Sequence, residues 1–325
     1  MKRNRMTGSR RTRTQGKRGA AALAVLAALG LGAASALSAQ SLDIPSKDWG
    51  LSFGNSKSFT GLRFNFRDSR VERVTGVNVT LWAPRKDNEN AVVTGLSLGI
   101  GPGGGRLRGV QLGLLGAGAN EEITGLTVGG LGAGAGESIA GIVVGGLGAG
   151  AGENLAGLVV GGLGAGAGEN ITGIAIGGLG AGAGENITGL VLGGLGAGCG
   201  ERLTGIAVGG LGAGAGERIE GLVVAGLGAG APEIRGLALC GLGVGGEDLR
   251  GAFLALGTVH VAKGGRLVGL SASAFNYCRG TVRGLSIGLV NYARTLDRGV
   301  QIGVVNIVRD NPKGLRVLPV FNAPF

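Results

Sequence analysis

Hydrophobic and polar positions along this chain recur with a fixed beat. A glycine that follows an aliphatic–x pair and precedes an aliphatic residue returns at Gly61, Gly76, Gly95, Gly109, Gly125, Gly141, Gly157, Gly173, Gly189, Gly205, Gly221, Gly236, Gly251, Gly269, Gly284, Gly299 and Gly314. From Gly109 to Gly221 every step is 16 residues, and most other steps are 15, which makes about seventeen units. A period of this kind marks an array in which each unit stacks on its neighbours. A central unit reads Ile171-Thr-Gly-Ile-Ala-Ile-Gly-Gly-Leu-Gly-Ala-Gly-Ala-Gly-Glu-Asn186. Helix is excluded, because each interior glycine costs about 0.5–1 kcal/mol relative to alanine. Strand alternation fits instead: it sets Leu179, Ala181 and Ala183 on one face and leaves the other almost bare backbone. The 172–176 half supplies the bulkier side chains and the stronger strand propensity.

The expected fold is all-β: a glycine-rich repeat β-solenoid of about 15–16 residues per coil. The alternative is an antiparallel β-meander or barrel with one long strand and a turn per unit. A constant coil length favours the solenoid, since in-register stacking demands it while alternating strands do not. Stacking predicts columns. Glu137, Glu153, Glu169, Glu185, Glu201 and Glu217 would lie about 5 Å apart on a water-screened turn. Asn154, Asn170 and Asn186 would form an amide ladder. A calcium ladder is disfavoured, because the β-roll turn closes on Asp and Gly182 stands in that slot.

Four sections follow from spacing and composition: residues 1–39, 40–108, 109–250 and 251–325. Residues 1–39 carry eight bases and no acids, then the apolar run from Ala20 to Leu31 and small residues up to Ala39. That is the plan of a secretory signal peptide, with cleavage expected after Ala36 or Ala39. Residues 40–108 are irregular repeats forming one cap, residues 109–250 the regular array, and residues 251–325 the other cap. The stretch Pro84–Asn90 reads as a protruding loop.

Charge changes little once it is divided. Of the net +11, the leader holds +8, leaving 23 bases against 20 acids in the remainder. Nucleic-acid binding therefore loses its main support. The three cysteines, Cys199, Cys240 and Cys278, lie about 40 residues apart, and His260 is the single histidine. No metal-ligand spacing arises from them, and Cys199 fills a slot that sister repeats give to alanine. A Cys278/His260 pair lacks a third, orienting group. Gly-x-Gly occurs in nearly every unit without a following Gly-Lys-Ser/Thr, so no phosphate loop is indicated. No catalytic, cofactor-binding or metal-ligating residue emerges, and no cofactor or small-molecule substrate is implied.

The C-terminal units read Gly269-Leu-Ser-Ala-Ser-Ala-Phe-Asn276, Gly284-Leu-Ser-Ile-Gly-Leu-Val-Asn291 and Gly299-Val-Gln-Ile-Gly-Val-Val-Asn306, with Gly314-Leu-Arg-Val-Leu-Pro-Val-Phe-Asn322 as a last variant. This resembles the bacterial surface-repeat family built on Gly-Leu-x-Ile-Gly-Leu-x-Asn units, a family without an assigned activity. The match covers the last 60 residues; in the middle the closing Asn reads as Gly. The resemblance implies location and architecture rather than chemistry. The expected role is an exported, non-enzymatic surface or envelope scaffold with an unidentified protein or envelope partner, and with exposed stack ends that favour self-association. Its setting would be the cell surface, the outer membrane, the extracellular space or the periplasm. The rival role is an integral outer-membrane β-barrel, against which stand few aromatics and Gly-Ala stretches that offer no apolar lipid-facing band.

Overall fold

The computed structural model describes residues 41–325; the expected signal peptide lies outside the described residues. The chain is a parallel β-solenoid of about 14 turns with about 16 residues per coil. A central coil has a strand Asn170–Gly177, the turn 178–179, a strand Gly180–Ala183 and the turn 184–185. Each strand pairs in parallel with its counterpart 16 residues away, so Ile171 lies beside Ile187 and Ala181 beside Ala197. Parallel pairing overturns the meander and the barrel: among the described residues, antiparallel ladders occur only at the two terminal strands.

Glycine makes the coil closable. The recurrent glycine divides the longer strand into two four-residue arms, 170–173 and 174–177, and has φ +128° at Gly173. A Cβ there would overlap the carbonyl oxygen of Gly157 in the preceding coil, so only glycine fits. The column runs through Gly61 to Gly299 with positive φ at every member and begins one coil earlier than the spacing suggested, at Gly50. Gly314 is outside it, in a single 3-10 turn Lys313–Leu315. The turn glycines face the same constraint, since a Cβ at Gly178 or Gly184 would meet the carbonyl of Gly162 or Gly168.

The core is a thin apolar file. Ile171, Ala175 and Ala181 are buried, and the equivalents in neighbouring coils repeat them. Leu179 does not share the alanine face, as alternation alone implied: the turn 178–179 intervenes and leaves it half-exposed. Two residues beyond each column glycine lies a second buried file, and its chemistry changes along the stack. It reads Arg63, Asn78, Ser97, Gln111 and Thr127, then Val143, Val159, Ala175, Val191, Ala207, Val223, Ala238 and Phe253, then Ser271, Ser286 and Gln301. The interior is polar at both ends and apolar between.

Insertions leave the coil as expected. The 19-residue step from Gly76 to Gly95 carries the loop around Lys86–Asn88. That loop does not simply protrude, because Asn88 is buried and its Oδ1 accepts from Val71 N at 2.9 Å. At the first end, Leu42–Pro45 crosses antiparallel on Trp49–Phe53. At the other, Val317–Asn322 runs antiparallel to the strand before it rather than forming another coil. The segment 310–316, with Pro312 and the 3-10 turn, reverses the chain, and Arg316 Nε donates to Asn311 O at 3.0 Å. Each terminal strand carries a proline, Pro45 or Pro319, which removes a donor from an edge that would otherwise template further strands.

Candidate functional site

Three outer walls of different chemistry run along the central coils. The first arm turns mostly hydroxyl, amide and charged side chains outward, with alanine at positions 140 and 156. Asn170 Nδ2 donates to Asn154 Oδ1, and Asn186 Nδ2 to Asn170 Oδ1, both at 3.0 Å; the predicted amide ladder is there. Further along, Arg218 reaches Glu233 at 2.6 Å, and Arg235 reaches the same carboxylate from the other side at 2.6 Å. Beside the arm, the glutamate turn stacks by backbone bonds, Glu169 N donating to Glu153 O at 2.9 Å and Glu185 N to Glu169 O at 2.8 Å.

The second arm turns only aliphatic side chains outward. Ile174 and Ile176, one and three residues past the column glycine, alternate with buried Ala175. Their counterparts include Leu126, Ile142, Leu158, Leu190, Ile206, Leu222, Leu237, Leu285 and Val300 in one row. At the corner, Leu131, Leu147, Leu163, Leu179, Leu195, Leu211 and Leu227 form a ridge, each 47–51% exposed. Backbone bonds hold them in line, Leu147 N donating to Leu131 O at 2.6 Å and Leu179 N to Leu163 O at 2.7 Å. No charged or polar side chain interrupts these rows from Val110 to Val304. Reading the Gly-Ala stretches as lacking an apolar band was correct for them alone; the other half of each repeat carries one. The third arm is the bare face that alternation predicted, with Ala181 inward and Gly180 and Gly182 outward.

Two open grooves border the aliphatic wall. One, of about 540 Å³, is lined by Trp82, Pro84, Ile100, Pro102 and Leu115. The other, of about 820 Å³, lies where the terminal strand crosses, between Leu256, Ile287, Leu289, Ile302, Val304 and Val320. Both linings are largely apolar and lack a titratable side chain.

The candidates for chemistry do not converge. His260 is exposed and stacks on Tyr277 with ring centroids 5.6 Å apart, and Tyr277 on Tyr292 at 4.9 Å. Cys278 is paired one step along the register but points inward, buried at 3% exposure. Sequence neighbours in a strand face opposite sides, so thiol and imidazole are separated by the wall itself. Burial pushes the Cys278 thiol up to about 11, which keeps it protonated and a poor nucleophile at neutral pH. Cys199 stacks between Ala183 and Ala215, as its place in the repeat predicted. The one buried ion pair among the described residues, Arg63 with Asp68 at 2.6 Å, sits inside the first coils, where Asn78 Oδ1 also accepts from Arg63 Nη1 at 2.8 Å. It fills the polar end of the interior file and opens onto no groove. Among the described residues no three His, Cys, Asp or Glu side chains gather as a metal site would require.

No family model, curated protein or solved structure matches this chain. Its own geometry is what distinguishes one wall from another, and the aliphatic wall is the feature the sequence reading missed. The signal was present as the apolar residues at the two outward positions after each column glycine, but which parity faces outward is fixed only by the closed coil.

Proposed function

We propose that this protein is an exported, non-enzymatic scaffold of the cell envelope or surface that acts by presenting its aliphatic wall to a partner. The carrying observation is that wall: an unbroken aliphatic surface on the outside of a closed coil, beside a wall that is mostly polar. Monomeric proteins seldom expose apolar patches beyond roughly 300–600 Å², and larger ones mark interaction surfaces. The basic, apolar and small-residue order of residues 1–39 supports export. The resemblance of the C-terminal units to bacterial surface repeats supports the envelope as its destination.

Cell fractionation with N-terminal sequencing tests this reading. Expected is a chain beginning near residue 37 or 40 in the envelope or medium. An unprocessed chain confined to the cytosol would overturn it.

A further inference from the structure

We propose that two copies of this chain pair through their aliphatic walls, face to face and antiparallel, about a two-fold axis perpendicular to the solenoid axis. The pairing rests on the interaction role proposed above and names its partner. Size comes first. From the coil of Gly109 to that of Gly299 there are twelve steps, which at about 4.8 Å per strand spacing is roughly 58 Å. Outward rows span about five residues, or roughly 15 Å at strand rise. The product is about 850 Å², which matches the roughly 800 Å² that each partner of a stable complex contributes.

Pitch comes second. The leucine ridge repeats once per coil, and a second copy repeats with the same spacing, so the side chains of one fit between those of the other along the whole length. A two-fold axis parallel to the solenoids would set equal levels opposite each other, ridge on ridge. A perpendicular axis leaves the register free, so a half-coil offset seats each ridge in a groove; this selects the antiparallel arrangement.

Charge comes third. Residues 109–251 carry twelve acids against four bases, a net of −8, and residues 252–304 one acid against six bases, a net of +5. The coils behind the wall thus sum to −3, and their long acidic stretch opposes lying lengthwise on an anionic lipid surface. Around the coil the glutamate turn lies between the third and first arms, farthest from the aliphatic wall. Pairing through that wall therefore turns the two acidic columns away from each other. The terminal strands lie across part of each stack end, which favours association through the side of the rod over its tips.

The test is the mass of the purified full chain by sedimentation equilibrium without detergent, with light scattering as a check. Expected is twice the single-chain mass at micromolar concentration. Replacing Leu163, Leu179 and Leu195 by Glu, at positions already half-exposed, should weaken the dimer by about 100-fold or more. Thr172→Glu with Thr188→Glu on the polar wall should leave it intact. Spin labels at Glu137→Cys or Glu201→Cys, with Cys199, Cys240 and Cys278 replaced by Ala, test the orientation. In the antiparallel pair the labels at position 201 are separated by the width of the two solenoids alone. At position 137, four coils away, an axial offset of about 38 Å combines at right angles with that width and makes the distance clearly longer.

A monomer at tens of micromolar, a dimer indifferent to the leucine changes, or equal distances at both label sites would each overturn the proposal. So would a monomer that floats with phosphatidylcholine vesicles through the same leucines, which would make lipid the occupant. Because the mass is measured on purified protein, failure here leaves the exported location standing, and a cytosolic chain that still dimerises would overturn only the location.

Discussion

Central and C-terminal coils close the same corner in different ways. In a central coil the second and third arms are joined through Gly177-Gly-Leu-Gly180, and a Cβ on Gly177 would overlap the carbonyl oxygen of Gly180. Backbone packs on backbone, and no side chain is needed inside. The C-terminal coils have one residue fewer in this turn, and an asparagine occupies the space. Asn276 Nδ2 donates to Asn291 Oδ1 at 2.7 Å and to Ile287 O at 2.8 Å, and Asn291 Nδ2 repeats the pattern with Asn306 Oδ1 at 2.7 Å and Ile302 O at 3.0 Å. Register also corrects the alignment of the two coil types. Asn276 stacks on Val259, Val244 and Ala229, so the central residue in the asparagine's place is alanine rather than glycine. A turn can be closed by removing side chains or by using one to bond the backbone, and the coil length records which.

The interior file at the second residue after each column glycine repeats that contrast, apolar in the centre and polar at both ends. A buried polar group costs free energy unless bonded, and the first coils bond part of theirs: Asp68 accepts from Arg63, Asn65 and Thr80, while Arg63 Nε, Ser97 Oγ and Gln111 Nε2 have no protein partner. The largest expected effect lies there. Arg63→Met leaves Asp68 buried without its cation and should cost about 3–5 kcal/mol. Val159→Thr, at a fully buried site of the apolar stretch, should cost about 1–3 kcal/mol for an unsatisfied hydroxyl. Urea unfolding monitored by circular dichroism checks both. Equal costs would mean the two interiors differ in composition but not in principle.

Next in size are the corners. Gly177→Ser should destabilise by about 1–3 kcal/mol, because the backbone must move to admit a Cβ. Position 273 is the same step past its own column glycine, and Ser273 is accommodated there with its Oγ donating to Asn276 Oδ1 at 2.9 Å. Ser273→Gly should therefore cost about 1 kcal/mol, the net worth of one hydrogen bond. Thermal unfolding of the two variants sharpens the comparison, and a harmless serine at 177 would break it.

Asparagine on the two ladders offers a smaller contrast. Asn291→Ala removes a buried amide and strands the acceptors beside it, which should cost about 2 kcal/mol. Asn170→Ala cuts the ladder on the outer wall, where water replaces the lost bonds, and should stay within about 0.5 kcal/mol. Hydrogen exchange of the amides in coils 269–306 against coils 154–186 measures both locally.

These contrasts show how far the residues speak for themselves. The 16-residue step, the glycine column and the stacked Glu and Asn rows were legible because one-dimensional stacking turns sequence period directly into contact, whereas the column's positive φ was not. The solenoid followed for the same reason. The outward aliphatic wall and the alanine under Asn276 were not, since each depends on how a turn of one more or one fewer residue shifts parity between arms. Gly314 shows the same limit: its motif matches the repeat, yet Pro312 and the 3-10 turn send Val317–Asn322 back across the stack. Nothing local distinguishes a last coil from a covering strand. The site was less legible than the fold, because a surface made of many equivalent leucines has no signature residue.

The polar wall supplies the weakest and most specific prediction. Its middle carries uncharged ladders, while coils from Arg202 onward carry ion pairs that hold single carboxylates in fixed geometry. Arg250 donates to Asp248 through Nε at 3.1 Å and through Nη2 at 2.7 Å. That guanidinium holds the Asp248 carboxyl below its usual value, against the opposing effect of partial burial. A carboxylate whose folded-state value is depressed stabilises the fold above its unfolded value, near 3.9, and the contribution is lost as pH falls through the folded value. Asp248→Asn should thus lower stability at pH 7 by a few tenths of a kcal/mol, the scale of partly exposed pairs. It should make no difference once the pH is below the folded value. Melting curves taken from pH 7 down the acid limb read the change directly, the deficit shrinking as the pH falls. A deficit that stays constant down to acid unfolding would assign Asp248 a packing role, and would make this wall depend on shape in its charged coils as it does in its asparagine coils.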